Sequence, residues 1–311
     1  MKYCFGPVPS RRLGLSLGVD ILPLKTCNLN CIYCELGPGA KYTCERGDYA
    51  PVELIKRDLE SAVSGAGEFD TLTFTASGEP TLHLRLGEML SFAKTLTDRP
   101  LAVLTNATLL SDPAVREELA QADILLPSLD SVIPGRFRKI NRPAPCVRIE
   151  GVIDGLIKLK KETGAVMWLE VLFVRGVNDL DEDVVALKEA IAAIRPDKVQ
   201  INTVSRPPAE RWPAPVSEER LYEIRRKLGC TAEVIADFKR PPLPENTGAA
   251  TEAGIVNILI RRPLTFEDIL IFTGMDAGML KETLEGMERS GTIKCKVFDD
   301  RPFYFPCDRV E

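Results

Sequence analysis

The stretch 26–37, TCNLNCIYCELG, sets Cys27, Cys31 and Cys34 in a C-x3-C-x2-C spacing. It follows an apolar, strand-like run over 15–22 (LSLGVDIL), so the cysteines fall in a loop just past a strand. Three thiolates this close can hold three corners of a cubane iron–sulfur cluster, whereas an ordinary electron-transfer cubane takes four. The iron left without a thiolate is an open coordination site, which points to an enzyme rather than an electron carrier. A zinc knuckle and three buried cysteines clustered by chance are the alternatives. A closed structural zinc site needs four ligands, and the nearest outside candidate, Cys44, lies ten residues past Cys34.

Outward from that loop, short β-branched runs alternate with longer helical patterns as far as about residue 237. The predicted strands are 15–22, 71–76 (TLTFTA), 101–105 (LAVLT), 124–129 (ILLPSL), 166–174 (VMWLEVLFV) and 198–204 (KVQINTV). Between them, Val52, Ile55, Leu59 and Val63 recur at helical spacing, as do Ile149, Val152, Leu156 and Leu159. Apolar strands alternating with helices predict a parallel sheet covered by helices. Six strands are too few for the eight-stranded closed barrel.

In such folds ligands gather at the C-terminal ends of the strands. Polar residues recur at that end here. The cysteine loop follows the first strand, and Ser77-Gly78-Glu79-Pro80 the second. Thr105-Asn106 ends the third, and Ser128 with Asp130 closes the fourth. Glu170 lies within the fifth, and Asn202 and Ser205 near the end of the sixth. Each alone is an ordinary turn residue; together they predict one shared cavity.

The cysteine run, with Tyr33 before the last cysteine, resembles the signature of the radical S-adenosylmethionine superfamily. The resemblance implies a six-stranded partial (β/α)6 TIM-type barrel, a single [4Fe-4S] cluster with Cys27, Cys31 and Cys34 as its metal ligands, and S-adenosylmethionine on the fourth iron. An external electron donor would reduce the cluster, and the 5′-deoxyadenosyl radical would take hydrogen from a small-molecule or macromolecular substrate. TASGEPTLH resembles the superfamily's Gly-Gly-Glu element with Ser77 for the first glycine. Ser77, Gly78 and Glu79 are thereby assigned to the cofactor's amino group. Ser128 and Asp130 are assigned to its ribose, and Asn106, Glu170, Asn202 and Tyr33 to further contacts; strand-end capping and solvent shielding are the alternative roles. Within the superfamily, residues 5–37 resemble the branch of the wyosine-base tRNA-modifying enzymes and their uncharacterised Fe-S oxidoreductase relatives. Those tRNA enzymes carry a further upstream cysteine set and a basic surface, whereas this chain has only Cys4 upstream of the triad.

Other residues have plainer readings. His83, the single histidine, reads as a packing residue. Arg11 and Arg12 suit a phosphate or carboxylate, or else surface ion pairs. Cys44 is the best outside candidate for a reactive, catalytic thiol, with free buried cysteine the default.

SRPPAERWPAP (205–215) predicts a loop over the active-site side with Trp212 as a possible anchor, and KRPPLPENTG (239–248) an interdomain linker. The predicted domains are thus 1–238, a linker at 239–250, and 251–311. That last segment resembles a winged-helix domain: helices in 250–262 and 264–274, a third at about 276–289, and a hairpin turning at Asp299-Asp300. It holds eight Lys and Arg against eleven Asp and Glu. Phosphate contacts dominate DNA binding, so a protein-docking role is expected and a nucleic-acid partner is not.

The net charge is −5 over 311 residues, and no apolar run nears the roughly 20 residues that span a bilayer. No membrane partner and a cytoplasmic, oxygen-sensitive enzyme with reduced thiols are expected. The competing functional readings are an iron–sulfur redox or metal-sensing regulator acting through the C-terminal domain, and an activase-type enzyme acting on a protein.

Overall fold

A computed structural model describes residues 2–229, 231–235 and 251–307. The predicted linker, 239–250, lies outside them, as does Cys230.

The chain opens with β1 (Cys4–Ser10) and β2 (Gly14–Asp20), followed by two short strands that pair with each other, β3 (Thr26–Cys27) and β4 (Lys41–Tyr42). Helices and strands then alternate: α1 (Val52–Gly65), β5 (Thr71–Thr75), α2 (Leu86–Ala93), β6 (Leu101–Thr105), α3 (Pro113–Leu119) and β7 (Ile124–Pro127). Next come α4 (Pro134–Asn141), α5 (Ile149–Glu162), β8 (Val166–Phe173), α6 (Asp181–Ile194), β9 (Lys198–Thr203), α7 (Glu218–Leu228) and β10 (Ala232–Val234). The main sheet runs β1-β2-β5-β6-β7-β8-β9-β10. Every pairing in it is parallel except β1 with β2.

All six predicted strands form, as the six consecutive central strands. Two more extend the sheet at its edges. Pro7 and Pro9 disguise β1 as a loop in the sequence, but an edge strand tolerates proline because one side of its backbone makes no ladder bonds. Strand β10 has only three residues, too few to leave a periodic signal.

A flat eight-stranded sheet would hold its edges roughly 33 Å apart, at about 4.8 Å per strand. Here Arg11, in the β1–β2 turn, donates from Nη1 to the Ile235 carbonyl just past β10 at 3.2 Å. The sheet is therefore curled, bringing the β1–β2 turn within an arginine's reach of the end of β10. Its inner side chains line a cavity, and its outer ones (Leu72, Phe74, Val103, Leu125, Leu169) bury against the helices.

Beyond the sheet, α8 (Glu252–Leu259), α9 (Phe266–Thr273) and α10 (Ala277–Arg289) precede the hairpin β11 (Ile293–Phe298) and β12 (Arg301–Pro306). Thr265 and Asp268 form a reciprocal capping box at the start of α9. Asp299 and Asp300 both adopt positive φ at the hairpin turn, where short polar side chains bear it best. This segment does not stand apart: Val8 of β1 is buried in one core with Ile255, Leu259, Ile269, Phe272 and Leu280.

Candidate active site

One cavity of about 930 Å³ occupies the curl of the sheet. The three cysteines line it, as do Tyr33, Ser77, Gly78 and Glu79. Asn106, Ser128, Asp130, Glu170 and Asn202 complete the set expected from sequence. Cys44 is the exception. It is disulfide-bonded to Cys146, 102 residues away in sequence, and so is not a free reactive thiol. The two cysteines meet because the loop after the cysteine triad folds beside the α4–α5 connection.

The cysteine loop is fastened on both flanks. On one, Lys25 N–H donates to the Ser77 carbonyl (2.5 Å) and Glu79 N–H to the Thr26 carbonyl (3.0 Å). Gly78 lies so close to Thr26 that a Cβ there would overlap the Thr26 carbonyl oxygen, which is why this turn needs glycine. On the other flank, Asn30 and Ile32 N–H donate to the Asn141 and Ile140 carbonyls, each at 3.0 Å. Ala144 N–H closes the set onto the Asn28 carbonyl at 2.8 Å.

Each sulfur faces N–H donors. Cys27 Sγ accepts from Leu29 N–H (3.4 Å) and Asn106 Nδ2 (3.6 Å), Cys31 Sγ from Asn141 Nδ2 (3.4 Å), and Cys34 Sγ from Lys25 Nζ (3.7 Å). Two carboxylates hold two of those donors. Glu79 accepts from Asn106 N–H (2.6 Å), Thr105 Oγ1 (2.6 Å), Thr81 N–H (3.1 Å) and Thr81 Oγ1 (2.6 Å). Asp130 accepts from Asn141 Nδ2 (2.6 Å), the Tyr33 hydroxyl (2.6 Å) and Leu172 N–H (3.0 Å). The pattern repeats: a buried carboxylate, an asparagine, a cysteine sulfur. Burial pushes both carboxyls above their ordinary range, and these donors work against that rise.

Burial pushes the Cys27 thiol up to about 12, with the Glu79 charge adding to it, and Cys31 well above the thiol range. Thiols this desolvated ionise only against a compensating cation. N–H donors around every sulfur suit an anionic sulfur group. The Asn28 Nδ2, buried with no partner, adds one more donor next to Cys27 in sequence. The residues present therefore fit a cysteine-held iron–sulfur cluster. Among the described residues no three His, Cys, Asp or Glu side chains form a cage for a single metal ion.

Sequence reading missed the groups that fix the Ser-Gly-Glu-Pro turn. Asp20, at the end of β2, accepts from Ser77 N–H at 2.8 Å and Ser77 Oγ at 2.6 Å. Arg261, just past α8, ion-pairs with the same carboxylate at 3.1 Å, both side chains nearly buried. An aspartate at the end of an apolar strand was the signal for the first; nothing local marks the second. Arg12, expected to suit a phosphate or carboxylate or else a surface ion pair, pairs inside the cavity with Glu170, which also accepts from Asn202 Nδ2 at 2.9 Å. Burial alone would raise the Glu170 carboxyl; Arg12 and Asn202 outweigh it and hold it below the ordinary range. His83 is buried between the Ala50 carbonyl and Arg85 N–H, and burial lowers its pKa, as a packing residue requires. The 205–215 loop lies against the cysteine loop, with Glu210 N–H on the Ile32 carbonyl at 3.1 Å, but Trp212 is half exposed under Lys139.

The model of the radical SAM superfamily matches residues 21–189, more than half of the chain. The chain belongs to the radical SAM superfamily. It is an enzyme of that superfamily, whose members use a [4Fe-4S] cluster and S-adenosylmethionine. The UPF0026 protein MJ1312 of Methanocaldococcus jannaschii is 31% identical over 305 residues, covering 96% of this chain and 91% of that protein. A Brachyspira hyodysenteriae protein named GTPase Obg is 32% identical over 295 residues; the match takes in 94% of this chain but only 43% of that protein. Among solved structures, Streptococcus suis SuiB bound to its precursor peptide SuiA superposes with a TM-score of 0.53 at 17% identity, covering 70% of this chain and 48% of SuiB. No helix among the described residues is long and apolar enough to cross a membrane.

Proposed function

We propose that this radical SAM enzyme carries one [4Fe-4S] cluster on Cys27, Cys31 and Cys34, binds S-adenosylmethionine beside it, and takes hydrogen from a substrate in the same cavity. The observation that carries this reading is the convergence on one cavity of three N–H-ringed thiols with the glycine-dependent turn at Ser77–Glu79. When bound, the cluster and S-adenosylmethionine supply one-electron cleavage of the sulfonium to a 5′-deoxyadenosyl radical. The protein's part is to hold and shield. Lys25 and the two asparagines stabilise negative charge on sulfur. The turn carbonyls at Ser77–Gly78 accept from the cofactor's amino group, and Ser128 with Asp130 takes its ribose. Tyr33, tied to Asp130, keeps water from the cluster side.

The curled sheet supports a partial TIM-type barrel spanning 1–238, extended here by two edge strands. Three helices and a hairpin support a winged-helix-like domain at 251–311. Its acidic balance and its packing onto β1 favour a structural or protein-docking role over nucleic acid. The substrate and the external reductant are unassigned, and a cytoplasmic location is expected for an oxygen-sensitive cluster.

The test is anaerobic reconstitution with iron and sulfide, then dithionite and S-adenosylmethionine, with 5′-deoxyadenosine measured by chromatography. Wild type is expected to form the product and Cys31→Ala to form none. A reconstituted wild-type cluster that neither cleaves the cofactor nor changes its EPR spectrum on adding it overturns the proposal.

A further inference from the structure

The cavity holds more guanidinium capacity than its own carboxylates use. Arg11 and Arg12 enter it from the β1–β2 turn, and Arg206 from the loop after β9. Arg12 pairs with Glu170 and Arg206 with Glu35, the latter through one long contact of 3.3 Å. Among the described residues, Arg11 has no carboxylate within ion-pair distance and one hydrogen bond, to the neutral Ile235 carbonyl. A guanidinium carries five N–H donors, and among the described residues each of these three uses a single one within the protein. They also crowd one another. Loss of surrounding water, followed by repulsion from Arg206 and Arg12, brings Arg11 down to about 10.

Arg11 is exposed, Glu170 and Glu35 offset part of the repulsion from its two arginine neighbours, and its remaining donors are open to a ligand. An oxyanion arriving there can pair with those donors, and the planar forks match phosphate or carboxylate edges. The cavity has the volume for it: small-molecule sites run from roughly 300 to 1,000 Å³, and this one lies near the upper limit.

We infer that Arg11, with Arg206 and the free edge of Arg12, forms a subsite for a phosphate or carboxylate group of the substrate. The inference rests on the proposed radical chemistry only in taking the anion to belong to the substrate; the anion site itself stands on the guanidinium geometry. It narrows the substrate class to molecules, small or peptidic, that present an oxyanion to the wall formed by the β1–β2 turn.

Equilibrium dialysis of radiolabelled inorganic phosphate against the anaerobically reconstituted full chain tests it, at fixed ionic strength, with acetate as a competing carboxylate arm. Charge-assisted hydrogen bonds of this kind correspond to about tenfold or more in Kd. Arg11→Gln and Arg206→Gln are each expected to weaken phosphate binding by at least that factor. Displacement of phosphate by acetate marks a carboxylate-tolerant site, and its failure a phosphate-selective one; both support the subsite. Binding that changes less than twofold in both variants overturns it. Stoichiometric displacement of phosphate by S-adenosylmethionine also overturns it, because the subsite would then serve the cofactor's own carboxylate. The phosphate reading needs no turnover, so an inactive but folded protein sinks the proposed reaction without deciding the subsite.

Discussion

The carboxylates beside the cysteines and the guanidiniums elsewhere on the cavity wall contrast in how fully they are bonded. Glu79 accepts four hydrogen bonds and Asp130 three, all from neutral groups of the protein. Arg11, Arg12 and Arg206 each use one donor among the described residues. A group with most of its bonds made internally holds a fixed geometry before any ligand arrives. One with most of its bonds unmade is ready to make them with something else. The first region suits a cofactor that must sit the same way in every turnover, and the second a substrate that comes and goes.

The sharpest attempt to break that contrast is Asp130→Asn. The new amide brings N–H groups against the Tyr33 hydroxyl and Asn141 Nδ2, so at least one buried donor loses its acceptor. A stability loss of about 3 kcal/mol is expected in chemical denaturation of the anaerobic protein, together with poorer iron retention, since Asn141 also serves Cys31. Unchanged stability would mean that Asp130 is not the hub its bonds suggest.

Arg261→Met comes next. It leaves the Asp20 carboxylate nearly buried without its cation but still bonded to Ser77. The loss is therefore placed below that of a fully abandoned buried charge, at about 2 kcal/mol. Because Asp20 holds Ser77, the affinity for S-adenosylmethionine should fall while iron content does not. Falls in both together would instead indicate general unfolding.

The smallest effect is on acid stability. Arg12 and Asn202 hold Glu170 below its ordinary pKa. The stability this pair contributes is therefore present above the unfolded value of about 4.3 and is lost as pH falls through the lower folded value. Glu79 and Asp130 are raised, so protonating them on acidification offsets part of that loss. Glu170→Gln should flatten the decline of stability below about pH 5 relative to wild type. An identical pH profile would show that the Arg12 pair adds nothing.

The central sheet was legible because buried parallel strands leave mostly apolar runs such as TLTFT and LAVLT, whose burial needs no partner to be guessed. The cysteine loop was legible from its spacing. Asp20 was readable only as a polar strand end, because its meaning depends on Ser77 and on Arg261 far along the chain. The Cys44–Cys146 bond escaped for the same reason. Strand β1 was hidden by its prolines, and the sequence left Arg11 and Arg12 open between an oxyanion contact and surface ion pairs, because nothing in it reports that the sheet curls far enough to bring their turn to Glu170.

The burial of Val8 among the C-terminal helices bears on how the molecule is made. Strand β1 leaves the ribosome some 250 residues before Ile255, Leu259 and Ile269, which cover it. Until then the nascent sheet has an open edge with an uncovered apolar residue, the kind of edge that invites wrong pairing between chains. Arg261 reaches Asp20 only at that same late stage. The turn at Ser77 thus acquires its last support only once residue 261 has been made, so a chain truncated before α8 retains the cysteine loop yet lacks a fully braced cofactor turn.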